Sequence, residues 1–331
     1  MDVKFTEWFA CTQCGSPLRL EVTSSARNNG TIAEGKLVCT SCTRSFPIVR
    51  SMPRFVPSEE YAQTFGYQWN RFDKLQLDRH MGNDLSRERF FVTTQWPSRM
   101  EGQRILEAGC GMGRFTQIAL ETGAEVFSFD LSNAVEANFK NNGDSSRVNI
   151  FQASIYEIPL RRESFDKVYC MGVLQHCPDV RKAFMSLVPC IRPGGEIVID
   201  CYQRHTGLFP PLKYWARPWL TWMGPQRVHK VLIWVIPPAF ELKKALYKVP
   251  LIGKLIGNLI PIGPISHKPK LDFTDEELKQ VKILSALDMF SPEHDHPQTI
   301  ETVRQWFADA GLVDVYIGTG FNGINARGRK P

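Results

Sequence analysis

Ile105-Leu106-Glu107-Ala108-Gly109-Cys110-Gly111-Met112-Gly113-Arg114-Phe115 reads as a buried strand that ends in a tight glycine turn and runs into a helix. Ile105 and Leu106 are the apolar lead-in, and Phe115, Ile118, Ala119 and Leu120 continue at helical spacing. Three glycines in the turn let the backbone approach a ligand closely and adopt positive φ. Asp130 closes the next strand-like run, Val126-Phe127-Ser128-Phe129, and lies 21 residues beyond Gly109. A βαβ unit carries its ribose-binding carboxylate at about that offset. Alone, such a turn also fits a generic strand-to-helix connection, so the weight falls on the segments around it.

The spacing is G-x-G-x-G, not the dinucleotide pattern G-x-G-x-x-G. Glu107, two residues ahead of Gly109, would repel a pyrophosphate and would favour a ligand bearing a sulfonium and an ammonium. That points to S-adenosylmethionine rather than NAD. Strand patterns at 104–107, 125–130, 149–152, 167–171 and 196–200 alternate with helical ones. The alternation predicts a parallel sheet with helices on both faces. Ligands of such sheets bind beyond the carboxyl ends of the strands, where Glu107, Asp130, Ser154 and Met171 fall. A helix over 299–311, with Ile300, Val303, Trp306, Phe307 and Ala310 on one face, precedes a closing antiparallel pair near 313–317 and 323–326.

Over roughly residues 60–201 and 271–330, the chain resembles the class I S-adenosylmethionine-dependent methyltransferases. Glu107 through Gly113 match their first motif, and Asp130 matches the ribose acid. Gln152-Ala153-Ser154-Ile155 match the segment beside adenine. Phe165-Asp166-Lys167-Val168-Tyr169-Cys170-Met171-Gly172-Val173-Leu174-Gln175-His176 match the fourth-strand motif, and Ile191-Arg192-Pro193-Gly194-Gly195 the turn before strand five. Many relatives have Asp where Ser154 stands, so adenine would be held here without a charge. The resemblance implies an α/β fold with a doubly wound, mostly parallel, seven-stranded Rossmann-like sheet. It also implies roles. Backbone amides from Gly109 through Cys110 and Gly111 to Gly113 would line the methionine moiety. Glu107 and the Met171 carbonyl would hold its amino group, and Asp130 with Leu131 would hold the ribose. Ser154 and Ile155 would flank adenine, with His176 beside the cofactor.

Methyl transfer to a hydroxyl gains from a general base. Candidates are His176, His205, Asp295 and His296. The run Asp288-Met289-Phe290-Ser291-Pro292-Glu293-His294-Asp295-His296-Pro297-Gln298-Thr299 is dense in titratable groups, and His296 oriented by Asp295 is the preferred pair. Cys170-Met171-Gly172-Val173 stands where base-methylating enzymes often carry Asn-Pro-Pro-Tyr or Asp-Pro-Pro-Tyr, which lowers the case for a nucleic-acid acceptor.

The 331 residues divide by composition into five stretches. Residues 1–56 form a zinc-ribbon-like module. Cys11 and Cys14, then Cys39 and Cys42, make two CxxC pairs around a turn signal at Asn28-Asn29-Gly30. Four thiolates suit a closed, structural Zn2+ site, which so small a module needs as a staple. Residues 57–103 are a linker and cofactor-covering helices, with Phe65 and Trp69 as aromatic cover and a helix over 87–96. Residues 104–202 are the cofactor core, 203–270 an insertion between strands five and six, and 271–331 the end of the catalytic domain.

The formal charge is +6, yet residues 203–270 alone hold eleven Lys or Arg against Glu241, about +10. They also hold Trp215, Trp219, Trp222 and Trp234 and ten prolines. Three readings stand for this insertion: a cap with its aromatics packed inward, a lid over an anionic or lipid-linked acceptor, or an amphipathic element on a membrane surface. The N-terminus shows no signal-peptide pattern, and no apolar run approaches the roughly 18–20 residues of a spanning helix. Nine cysteines without a disulfide framework suit a reducing compartment. The expectation is a cytoplasmic enzyme, peripheral to the membrane through 203–270, methylating a sugar, lipid-linked or natural-product acceptor at oxygen. The alternatives are an RNA methyltransferase that uses the zinc ribbon and basic insertion, and a non-catalytic adaptor that retains the fold.

Overall fold

The computed structural model describes residues 1–25, 31–57, 60–204, 213–249, 252–260, 262 and 273–331. The turn signal at Asn28-Asn29-Gly30 and the base candidate His205 lie outside the described residues. The chain begins with an antiparallel sheet of β1 (Leu18–Ser25), β2 (Ile32–Cys39), β3 (Ser45–Val49) and β4 (Met52–Pro53) in sequence order. Helices α1 (Gln63–Arg71), α2 (Asp78–Met81) and α3 (Leu85–Thr94) follow. The alternating core then runs β5 (Arg104–Ala108), α4 (Arg114–Glu121), β6 (Glu125–Asp130), α5 (Ala134–Asn142), β7 (Val148–Gln152), β8 (Phe165–Met171), α6 (Val180–Leu187) and β9 (Ile191–Cys201). The insertion supplies α7 (Lys213–Met223), α8 (Pro225–Leu246) and α9 (Gly253–Asn258). The chain ends with α10 (Asp275–Phe290), α11 (Ile300–Asp309), β10 (Val313–Gly320) and β11 (Gly323–Arg329).

The seven-stranded sheet has the order β10-β11-β9-β8-β5-β6-β7. β5 to β9 pair in parallel, whereas β11 is antiparallel to both β9 and β10. The parallel strands are buried along almost their whole length, because helices cover both faces. Chain order reverses beside β5, so a crevice opens at the carboxyl ends of β5, β6 and β8. Thr299 starts α11 by accepting a hydrogen bond from the Thr302 amide, and Val303, Trp306 and Phe307 form its buried face.

The N-terminal module is joined to the catalytic sheet through one continuous core. Phe5 packs edge-on against Phe127, and Phe9 against Phe151, each at 5.2 Å between ring centres. The backbone continues the join: the Phe55 amide donates to the Gln152 carbonyl at 2.8 Å, and Ala10 to Pro159 at 3.0 Å. Arg54 bridges in parallel to Gln152 and its guanidinium reaches Gln152 Oε1 and Glu136. The segment after β4 therefore covers the otherwise open edge of β7, removing an unpaired strand edge.

In the insertion, α7 and α8 pack their inner faces on α10. Arg217 donates to the carbonyls of Met289 and Pro292, and Leu232 and Ile236 cluster with Ile283, Leu284 and Leu287. The inward-packed reading of the aromatics is corrected by the structure. Trp215, Trp219, Trp222 and Trp234 are 71%, 75%, 81% and 81% exposed. Prolines and apolar residues on both sides of these helices hide the direction of packing from a sequence reading.

Phe9 is fully buried at the junction between module and sheet. Phe9→Ala is expected to cost about 3–5 kcal/mol in urea unfolding, as for other buried aromatics. A loss below about 1 kcal/mol would show that the module merely rests on the sheet.

Candidate active site

The glycine turn is tied to the neighbouring strand by hydrogen bonds from its own amides. Gly109 and Cys110 both donate to the Phe129 carbonyl, at 2.8 and 3.0 Å. Gly111 donates to Asp130 Oδ2 at 3.0 Å, while the amide and hydroxyl of Ser132 donate to Oδ1 at 2.8 and 2.7 Å. These amides are spent within the protein. Because Gly109 and Gly111 carry no side chain, Val173 and Trp69 pack directly on the turn. Gly109 has φ +77°, and a Cβ there would lie 2.3 Å from Val173 Cγ2. At Gly113, φ is +87° and a Cβ would lie 2.1 Å from Asn138 Oδ1, which shapes the start of α4 without reaching the cavity wall.

Glu107 sits behind the turn, not on the cavity. Its Oε2 accepts from the hydroxyls of Thr116 and Ser128, and Asn138 Nδ2 donates to both of those oxygens. Burial pushes the Glu107 carboxyl up to about 7, although the two hydroxyl donors pull the other way. Burial also raises the Asp130 carboxyl above its usual range, opposed by the amide and hydroxyl donors around it.

A cavity of about 680 Å³ opens in front of the turn, within the range of small-molecule sites. Its lining includes Gly109, Cys110, Gly111, Asp130, Leu131 and Ile155. Met171 and Gly172 at the end of β8, and Phe65 and Trp69 of α1, also line it. Trp69 Nε1 would be 3.1 Å from a Cβ at Gly111, so the indole rests directly on the turn. Ser154 is not on the wall; its hydroxyl accepts from the Tyr156 amide at 3.2 Å.

The cavity lining also includes Arg89, His176, Tyr202, Asp288 and Asn322. His176 Nδ1 lies 3.0 Å from the His294 carbonyl. A carbonyl only accepts, so Nδ1 holds the proton and neutral His176 keeps its lone pair on Nε2. Burial lowers the pKa of this imidazole, which favours the neutral form. Phe65 and Tyr202 pack around the ring at 4.9 and 5.5 Å. The Tyr202 hydroxyl donates to Asp288 Oδ2 at 3.0 Å. Arg89 pairs with buried Asp200 at 2.6 Å and keeps a buried Nε with no partner. Arg114 donates to Ser86 Oγ and Gln76 Oε1, and burial brings its guanidinium down to about 9.

Asp295 and His296 line an adjoining groove with Asp179, Arg204 and Trp306, which shares Tyr214 and Pro297 with the cavity, and do not line the cavity itself. Sequence reasoning passed over Arg89, Tyr202 and Asp288 as individual site residues. Arg89 lies on a helix that looks like ordinary packing, and its partner Asp200 is 111 residues away.

The sulfurs of Cys11, Cys14, Cys39 and Cys42 lie within 4.8 Å of one another. Three pairs are at 3.5, 3.6 and 3.8 Å. A tetrahedron with Zn–S bonds of about 2.3 Å has edges of about 3.8 Å, so the four thiols fit a zinc ion. Amides of Ser41 and Cys42 donate to Cys39 Sγ, as a thiolate at a metal knuckle requires.

Glu107 generates a pH test. The unfolded carboxyl gives up its proton near 4.5 and the folded one near 7, so this group removes stability as pH rises between the two. Glu107→Gln is expected to gain on the parent chain over that interval, by roughly 3 kcal/mol at most. Melting temperatures at pH 5 and pH 8 check this; a difference that does not grow with pH would contradict it.

Residues 106–199 match the family model of a methyltransferase domain, and residues 2–51 that of Trm112p-like proteins. The ubiquinone biosynthesis O-methyltransferase of Coxiella burnetii is 29% identical over 108 residues, covering 32% of this chain and 46% of that protein. The tRNA U34 carboxymethyltransferase of Nautilia profundicola is 29% identical over 132 residues, covering 36% of this chain and 42% of that protein. The chain thus spans about half the length of the curated relatives it matches. A solved complex of the Haloferax volcanii Trm112 methyltransferase activator aligns with a TM-score of 0.43 and 13% identity, covering 81% of this chain and 97% of that one. The motif segments, the strand order and the matched models agree: the chain carries a methyltransferase domain of the S-adenosylmethionine-dependent kind behind a Trm112p-like four-cysteine module.

Proposed function

We propose that this chain transfers a methyl group from S-adenosylmethionine to the oxygen of a small-molecule acceptor, with His176 as general base. The observation that carries this is the commitment of His176 Nδ1 to the His294 carbonyl, on the wall of a cavity that also holds Asp130. When bound, S-adenosylmethionine supplies an electrophilic methyl whose departure leaves a neutral thioether. Every other task falls to the protein.

Asp130 accepts the ribose hydroxyls, and Leu131 and Ile155 offer apolar surface to adenine. Gly109, Cys110 and Gly111 on the cavity wall meet the cofactor's tail, and Trp69 and Phe65 put π-faces near the cationic centre. Arg89, on the cavity wall and paired with Asp200, offers positive charge to the negative end of a ligand. Residues of α1, α7 and α10 on the cavity wall displace water around the acceptor and hold its oxygen in line with the methyl. His176 Nε2 removes the hydroxyl proton as the oxygen–carbon bond forms. Tyr202, held by Asp288, orients that acceptor beside the imidazole. A cavity of about 680 Å³ favours a small acceptor over RNA, since a base within a strand would first have to be extruded.

The test uses tritiated methyl transfer to a panel of phenols and hydroxylated lipids. His176→Gln is expected to lower kcat by about 10²–10⁴-fold while leaving cofactor affinity unchanged. Asp130→Ala is expected to abolish micromolar cofactor binding, and His296→Ala to change neither quantity. Full activity in His176→Gln would contradict the assignment of the base. A base must be neutral, and the His176 pKa lies below its ordinary 6.5. The rate is therefore expected to be flat above pH 6.5 and to fall only on further acidification. A rate that keeps rising through pH 8 would point to another group.

A further inference from the structure

We propose that the outer faces of α7, α8 and α9 form a docking surface for an anionic lipid membrane. On α7, Trp215, Trp219 and Trp222 recur at i, i+4 and i+7 and share one face. The opposite face is anchored, because Arg217 and Thr221 donate to carbonyls at the end of α10. On α8, Val231, Trp234, Val235 and Leu242 point outward, whereas Leu232, Ile236 and Phe240 are buried inward. Both helices therefore turn their outer faces away from the same support. Leu255 and Leu259 of the α9 region add further apolar surface, at 71% and 78% exposure. Monomeric soluble proteins rarely leave so contiguous an apolar surface open to water.

Charge identifies the occupant. Arg227, Lys230 and Lys248 are exposed around these apolar side chains, and no described carboxylate pairs with them. The insertion carries about +10, and the remainder of the chain about −4. Two copies of this face would bring like charges together, whereas anionic headgroups complement it. Tryptophan with Lys and Arg is the side-chain set that suits the boundary between headgroups and acyl chains. No helix among the described residues is long and apolar enough to cross a membrane, so the helices lie on the surface.

The docking face adjoins the cavity. Tyr214, next to Trp215, lines the cavity and both shallow grooves at its rim. An acceptor dissolved in the bilayer thereby reaches the cavity without crossing bulk water. That last step rests on the methyl-transfer reading; membrane docking does not, and is measured without turnover.

The experiment is flotation of the full chain with vesicles of phosphatidylcholine, alone and with about one third phosphatidylglycerol. The expected result is co-flotation with the anionic vesicles. The combined variant Trp219→Ser, Trp222→Ser, Trp234→Ser should bind at least roughly tenfold less, with an unchanged melting temperature because these side chains are exposed. Arg227→Gln with Lys230→Gln should weaken binding to the anionic vesicles and not to the neutral ones. Absence of binding to both compositions would overturn the proposal, as would undiminished binding of the tryptophan variant. Sedimentation that reveals a dimer abolished by the tryptophan substitutions would assign the face to a second copy instead.

Discussion

Everything in the site depends on the bonds that tie the glycine turn to the end of β6. Three successive amides, from Gly109 to Gly111, are held by the Phe129 carbonyl and the Asp130 carboxylate. This fixes the turn against the sheet and holds Gly109, Cys110 and Gly111 on the cavity wall. The same carboxylate that holds the turn stands on the cavity wall, so the backbone cannot move without moving the group proposed to hold ribose. Behind the turn, Glu107, Thr116, Ser128 and Asn138 form a buried polar network that fastens β5 to β6, α4 and α5. A network of this kind is stable only when its members are satisfied: the Thr116 and Ser128 hydroxyls donate to Glu107, and the Asn138 amide donates to both hydroxyls.

The four-cysteine module acts on the same strands from outside. Its last residues lie along β7, and Gln152 at the end of β7 donates through Nε2 to the Leu131 carbonyl. Phe55, Arg54, Gln152 and Leu131 thus form a chain of contacts from the module to the residue after Asp130. A zinc ion held by Cys11, Cys14, Cys39 and Cys42 stabilises the module's small sheet and, through Phe5, Phe9 and Phe55, the edge of the catalytic sheet. The module sits at the edge farthest from β10 and β11, while the insertion reaches the cavity wall through Tyr214 of α7. Structural support and access to the site are therefore assigned to separate parts of the chain.

Much of this was legible in the sequence because each signal was local. The parallel strands are short apolar runs buried on both faces, and their positions follow from that pattern. Thr299, Val303, Trp306 and Phe307 encode a cap and a buried face within a few residues. The two CxxC pairs carry their own geometry. What escaped was set by distant partners. Whether Glu107 faces the ligand or the interior depends on Thr116 and Ser128, and the tautomer of His176 depends on a carbonyl 118 residues away. His296 looked better than His176 because it stood in a run of titratable residues, yet that run turns its Asp295–His296 portion into a neighbouring groove. The insertion was opaque for another reason. Its main helix is apolar on both sides, Leu232, Ile236 and Phe240 against Val231, Trp234 and Val235, so no periodicity says which side is buried.

The most direct test of the central claim is a calorimetric titration of the zinc-loaded chain with S-adenosylmethionine and, separately, with NAD. One micromolar site per chain for S-adenosylmethionine and none for NAD is the expected result. Preference for NAD, or no binding of S-adenosylmethionine by the folded protein, would contradict the reading of the glycine turn and Asp130 on which the account stands.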